Sequence, residues 1–329
     1  MKLTIGIVGY GTLAEKFHEP SIKASTLVEL AGVYDKNYER CRKFDEMKGP
    51  IRCYTSYQDM LDDSRIDAVL IATPNAMHCS QVIAAARAGK HVLCEKPMAL
   101  NMEEAIVMVE ACEKAGVTFM VAHDLRYKAC NIKAAEVVKK GQLGRVSTAW
   151  VRWSFSIPEG RLEDGWREKK QLSGGGQAMN VNSHCIDLLV YIFGKPIKVS
   201  AFLQVEQGEE VENGSVVMME FPGGVLGIAQ GSYRESGVSN DLEISASRCS
   251  LIVEQACSSD MQGVLRYYPS GTVEKCESLK SPYTLEVDHF AKAVMEKFEP
   301  VSSGRKTLDT MQVLMAAYRS AETGQHINL

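Results

Sequence analysis

Residues 3–14, LTIGIVGYGTLA, constrain the fold more than any other stretch of the 329-residue chain. LTIGIV reads as a buried strand, and the segment after GYGTLA reads as a helix. Between them lies a GxGxxA motif, formed by Gly9, Gly11 and Ala14. The first glycine permits a tight turn, the second lets the backbone approach a pyrophosphate, and the small third residue lets helix and strand pack closely. The pyrophosphate would then sit against the free amides of the first helical turn. Gly6, inside the strand, is not expected to touch it. A second strand, VELAGVYD, ends at Asp35, about 20 residues beyond the motif, where such sites place the acid for the adenosine ribose hydroxyls. A carboxylate there repels a 2′-phosphate, so NAD is expected over NADP, with the adjacent Lys36 softening the preference. A purely structural glycine turn would explain the motif alone, but not the strand, helix and acid at the right spacing.

The pattern then repeats. Residues 58–63 read as helix, and IDAVLIAT (66–73) is a continuous apolar strand of the kind parallel sheets bury on both faces. Thr73, Pro74 and Asn75 end it, and HCSQVIAAARAGK reads as a helix closing at Gly89. HVLCEKP (91–97), a helix over about 102–115, and the strand VTFMVAH (117–123) follow. In such sheets ligands bind at the carboxyl ends of strands. The expected cofactor-binding set is therefore Gly9, Gly11, Thr12, Leu13, Ala14, Asp35, Thr73, Asn75, His78, Glu95, Lys96, Pro97 and His123.

Past residue 123 the pattern changes to strands: RVSTAWVRWSFSI (145–157), KVSAFLQVE, SVVMMEF, VLGIAQGSYR, LEISASRCSLIVE and GVLRYYP, several separated by PGG, NG or SG turns. The fold class is thus α/β, a Rossmann domain over 1–122 followed by an α+β domain over 123–329. A helix over about 308–323, stopped by Gly324, is expected to pack back toward the first domain. A net charge of −4 gives no whole-chain bias toward nucleic acid or anionic membrane, so neither is an expected partner, and no apolar run reaches the length of a membrane span. The apolar N-terminal run is too short for a signal peptide. The ten cysteines are scattered without a CxxC pair, so reduced thiols, a cytoplasmic location and no metal site are expected.

The stretch GGGQAMNVNSHCID (174–187) carries the other candidate chemistry. Asn180 and His184 share a helical face. Cys185, Leu188, Leu189 and Ile192 read as core, and Asp187 as a residue that orients its helix.

Together, GxGxxA, ATPNAMH, CEKPMAL and GGG followed by His184 resemble the Gfo/Idh/MocA oxidoreductases over essentially the whole chain. The resemblance implies a second domain built on a large, mostly antiparallel sheet, one open face of which forms a homodimer or homotetramer. It also implies hydride transfer between nicotinamide and a carbinol of a sugar, cyclitol or derivative. Lys96 matches the family's catalytic lysine, with a cis peptide to Pro97, and His184 matches the histidine at the reacting hydroxyl. Many members carry aspartate where this chain has Asn180, which is expected to bind and orient substrate. Arg126, Trp166, Arg167 and Tyr283 are further substrate-binding candidates, and Tyr127 reads equally as packing. Two other functions fit the same resemblance: glycoside cleavage through transient oxidation, and a dinucleotide-sensing regulator, against which Lys96 and His184 argue.

Overall fold

The computed structural model describes residues 2–46, 49–157 and 165–329. The chain divides into two compact units: Met1–Ala122 with Tyr283–Thr307, and His123–Pro282 with Leu308–Leu329.

The first unit holds a six-stranded sheet of β1 (Leu3–Val8), β2 (Val28–Tyr34), β3 (Arg52–Tyr54), β4 (Ala68–Ile71), β5 (His91–Glu95) and β6 (Phe119–Ala122), in the order β3-β2-β1-β4-β5-β6. Every pairing is parallel. The continuous apolar runs follow from this: all four residues of β4 and all four of β6 are buried, as expected where helices cover both faces. The strand order reverses direction between β1 and β4, which opens a binding position beyond their carboxyl ends. The helix Met102–Ala115 starts at Asn101, whose side chain accepts from the Glu104 amide at 2.8 Å, and stops at Gly116 in a left-handed conformation. Residues 283–307 belong here because Ser302 and Ser303 extend the edge of β6: Val121 N donates to Ser302 O at 2.9 Å.

The second unit holds a nine-stranded sheet: β7 (Val146–Ser154), β8 (Lys198–Gln204), β9 (Gly214–Glu220), β10 (Leu226–Ser232), β11 (Leu242–Ala246), β12 (Ser250–Glu254), β13 (Gln262–Tyr268), β14 (Val273–Glu277) and β15 (Ile327–Asn328). The order is β14-β13-β12-β11-β7-β10-β9-β8-β15, antiparallel except for the parallel pair β7–β10. LEISASRCSLIVE forms two strands rather than one, β11 and β12, and the last helix starts at Gly304 rather than near 308. The helices Ala129–Lys139 and Ser183–Phe193 pack on one sheet face.

One expectation is corrected. Cys41 and Cys53 form a disulfide, with Cα atoms 5.7 Å apart. The short turn Tyr38–Arg40 delivers Cys41 beside β3, where Cys53 lies, and the pair falls within bridging reach. The other eight cysteines are free thiols. Among the described residues, no helix is long and apolar enough to cross a membrane, and no group of His, Cys, Asp and Glu is arranged to hold a metal ion.

Candidate active site

In the first unit, the glycine turn has the shape a dinucleotide needs. Gly9 sits at φ +87°, and a Cβ there would lie 2.7 Å from Thr73 Cγ2 and 2.8 Å from the Ala72 carbonyl oxygen. The turn after β1 therefore packs against the end of β4 only with glycine at this position. At Gly11 a Cβ would meet nothing nearer than an Arg40 nitrogen at 3.8 Å, so the backbone is open on that side. The helix begins at Thr12, with Glu15 N donating to Gly11 O at 3.0 Å. The amides of its first turn are the ones a helix leaves without intrahelical partners, and Ala14 is fully buried against the sheet. The Asp35 carboxylate also braces the turn. Its oxygens accept from Tyr10 N at 2.8 Å and Asn37 N at 2.7 Å, and Arg40 lies 3.6 Å away.

The end of β5 is held from two sides. Glu95 Oε1 pairs with His18 Nε2 at 2.8 Å, and Glu95 Oε2 accepts from the Lys96 backbone amide at 3.0 Å. Burial pushes the Glu95 carboxyl up, but His18 and the charge of Lys96 outweigh it and leave it below its ordinary range. The fully buried His78 reaches the carbonyl oxygens of Pro97 and Thr73, each at 2.9 Å, and burial lowers its pKa. Its ring thus ties two strand ends together through backbone. The Lys96–Pro97 peptide is cis. Thr73 donates to Gln81 at 2.6 Å, and Asn75 is buried. Tyr283 packs on the dinucleotide helix, 5.0 Å from the Phe17 ring and edge-on to His18.

In the second unit, the glycine run makes close approaches to the chain's own backbone and side chains. A Cβ on Gly175 would fall 1.9 Å from the Tyr318 hydroxyl, and one on Gly176 would fall 2.0 Å from the Glu212 carbonyl oxygen. The buried Glu212 carboxylate accepts from Gly176 N and Ala178 N, both at 2.9 Å, and from the Tyr318 hydroxyl at 2.7 Å. After this turn the chain makes a wide π-type turn over Ala178–Asn182 before the helix Ser183–Phe193, an irregularity common at functional sites. Asn180 Nδ2 donates back to the Gly175 and Gly176 carbonyls at 3.0 and 2.8 Å.

His184 is 7% exposed. Its Nδ1 lies 3.3 Å from Asp124 Oδ1, and its ring centroid lies 4.8 Å from that of Trp153. Arg126 and His123 both meet Asp187. Arg126 grips Asp187 through two nitrogens at 2.8 and 2.7 Å, Thr310 donates to the same carboxylate at 2.8 Å, and His123 Nδ1 lies 3.4 Å from it. Burial would raise the Asp187 carboxyl, yet Arg126 and His123 hold it below its ordinary value. Arg167 lies over the Trp166 ring at 4.5 Å.

The structure thus brings Lys96 together with Glu95, His78, Thr73 and Pro97, and places Asn180 and His184 on one turn. It sets Arg126 and His123 against Asp187, and Tyr283 against the Phe17 and His18 rings. Sequence reasoning passes over His18, Asp124 and Glu212. Only Asp124 offers a signal there, as a polar residue next to a strand end.

Comparison with known proteins agrees with this geometry. A model described as "Oxidoreductase family, NAD-binding Rossmann fold" matches residues 3–123, and the GFO/IDH/MocA C-terminal domain matches 132–252. The 1,5-anhydro-D-fructose reductase of Ensifer adhaerens is 27% identical, covering 97% of this chain and 96% of its own. The D-xylose 1-dehydrogenase (NADP(+)) 2 of Haloferax volcanii is 29% identical, covering 99% and 100%. The aldose-aldose oxidoreductase of Caulobacter crescentus, in a crystal structure with glycerol, superposes with a TM-score of 0.92 at 28% identity, covering all of both chains. With both domain models matched in order along one chain, this protein belongs to the Gfo/Idh/MocA family of oxidoreductases.

Proposed function

We propose that this oxidoreductase moves a hydride between nicotinamide and a carbinol of a sugar, cyclitol or related derivative, with Lys96 and His184 handling the hydroxyl proton. The observation that carries the reading is the double anchoring of the Lys96 segment: Glu95 holds its amide and His78 reaches the next carbonyl. A general base needs such fixed placement before its pKa matters. Bound nicotinamide supplies the two-electron acceptor for oxidation and the donor for reduction. Gly9, Gly11, Thr12, Leu13 and Ala14 hold its pyrophosphate, and Asp35 its adenosine ribose. In oxidation Lys96, as the neutral amine, and His184, through its unprotonated ring nitrogen, share the hydroxyl proton; in reduction the proton returns the same way. Trp166, capped by Arg167, offers an aromatic face to a sugar ring.

The Asp35 carboxylate favours NAD. Arg40 beside it and Lys36 next in sequence reduce its repulsion of a 2′-phosphate, and the Haloferax relative is named as NADP-dependent. Turnover with both dinucleotides, faster with NAD, is therefore expected. The protein assembles as a homodimer or homotetramer through the outer face of the nine-stranded sheet, and works in the cytoplasm.

The test is absorbance at the NADH band. D-xylose and myo-inositol are offered with NAD⁺ or NADP⁺, and 1,5-anhydro-D-fructose with NADH or NADPH. On the best substrate, Lys96→Ala is expected to lower kcat by about 10²- to 10⁴-fold. A Lys96→Ala protein as fast as wild type would refute the proton assignment.

A further inference from the structure

The geometry points to Asp124 as the residue that sets the protonation of His184: its carboxylate holds a proton on Nδ1 and leaves Nε2 to exchange the substrate proton. This deepens the assignment of His184 above and rests on it.

Three observations carry it. Asp124 Oδ1 lies 3.3 Å from His184 Nδ1, and both residues are buried, at 2% and 7% exposure. The pair is an ion contact rather than a formed hydrogen bond; a carboxylate that close, in a medium less polar than water, favours a proton on the nitrogen facing it, and the imidazolium, by its charge. Second, Asn180, the residue at the position where an acid would support the histidine, is neutral and points its amide nitrogen at the Gly175 and Gly176 carbonyls. It cannot balance a charge on His184, whereas Asp124 can. Third, the Trp153 ring against the imidazole limits its rotation, so the Nδ1 side stays toward Asp124.

The other charged groups nearby do not replace it. Arg126, from the same short turn as Asp124, is paired two-fold with Asp187, which lies on the histidine's own helix and is shared with His123 and Thr310. Lys128, from the helix that follows, bonds the Ser258 and Asp260 carbonyls and the Ser258 hydroxyl. Cys257, whose sulfur lies 3.9 Å from that of Cys185, is buried. None of these groups is placed against Nδ1 as Asp124 is. It acts on substrate only through His184, and is therefore a positioning residue in the sense of an outer partner that fixes a tautomer.

The test uses the whole protein labelled with ¹⁵N-histidine, with the His184 signals assigned by their loss in His184→Gln. In wild type at pH 8 the spectrum should show His184 protonated at Nδ1. In Asp124→Asn its affinity for the second proton should fall about tenfold, and the His184 limb of the kcat/KM pH profile should move to lower pH by the same factor. That profile is measured on D-xylose with NAD⁺, or on whichever compound of the panel above turns over best. Asp124→Glu should recover part of the shift. An Nε2–H tautomer in wild type, or an unchanged His184 titration in Asp124→Asn, overturns the inference, and the wild-type spectrum decides even if the variant fails to fold. A His184→Gln protein with wild-type kcat would instead overturn the assignment of His184 while leaving the titration result standing.

Discussion

Asn180 aims one nitrogen at two carbonyl oxygens, those of Gly175 and Gly176. An aspartate of the same shape has no hydrogen to give at pH 7 and would set a charge against both. Asn180→Asp is therefore expected to cost about 2–4 kcal/mol of stability, the loss of two buried bonds with a carboxylate turned against two carbonyl oxygens. The deficit should shrink below about pH 4, where the acid is protonated and can donate one of the bonds. Urea unfolding at pH 7 and at pH 4 measures both parts; equal stability of the two proteins at pH 7 would show that the amide bonds do not matter. In the sequence this position is legible as a departure from an acid, and it reads there as a substrate ligand. Its amide nitrogen bonds backbone carbonyls of its own turn, and no residue pattern encodes which way a side chain folds back. His18 and Asp124 escape for the same reason, since each matters through a partner distant in sequence, Glu95 and His184.

The glycine run shows what an element adds to a motif. Read as a string, GGG allows close approach to a ligand; in the structure the close approaches are to Glu212 and Tyr318. A methyl group on Gly176 would fall 2.0 Å from a backbone oxygen that cannot swing aside. Gly176→Ala is expected to cost more than about 3 kcal/mol. Gly208→Ala, at φ +90° with open space around it, should cost only the roughly 1–2 kcal/mol of a strained backbone. Thermal unfolding of both variants ranks them, and equal losses would mean that contact is not what fixes this turn. Elements whose burial is uniform or periodic are readable in advance: the parallel strands appear as unbroken apolar runs, and the helix Met102–Ala115 is bracketed by its own cap and stop. The start of the last helix is not. Gly304 is a poor helix former, yet a Cβ there would sit 2.3 Å from the Phe119 ring, so packing against β6 selects a residue that hides the boundary. The two-residue β15 likewise exists only because β8 is there to pair with it.

For the whole molecule, strand alternation in the nine-stranded sheet announces two faces without saying what covers the second. The pairing register answers where the apolar residues go. Met218 lies opposite Ser200 and Ile228, Ile228 opposite Trp150, and Phe202 two residues along from Ser200 opposite Val216. Cross-strand partners share a face, so these side chains form one surface, and the alternate positions Ala149, Val151, Val217, Met219 and Ala229 point into the core. On the outer surface Phe202 is 73% exposed, Leu226 51% and Met218 42%. Contiguous apolar surface of this kind marks an interaction site more often than a bare face in water, and a self-complementary patch on a twisted sheet suits a two-fold interface. The wild-type chain should therefore scatter light at two or four times its 36.3 kDa mass at micromolar concentration. The double variant Phe202→Glu and Met218→Glu should run as a monomer, because like charges from both copies would meet across the symmetry axis at a cost of several kcal/mol. Since both side chains point away from the core, its far-ultraviolet circular dichroism and unfolding midpoint as a monomer should show an intact fold. A wild-type monomer, or a double variant that still assembles, would remove this face from the interface and leave its apolar residues without a partner of the same chain.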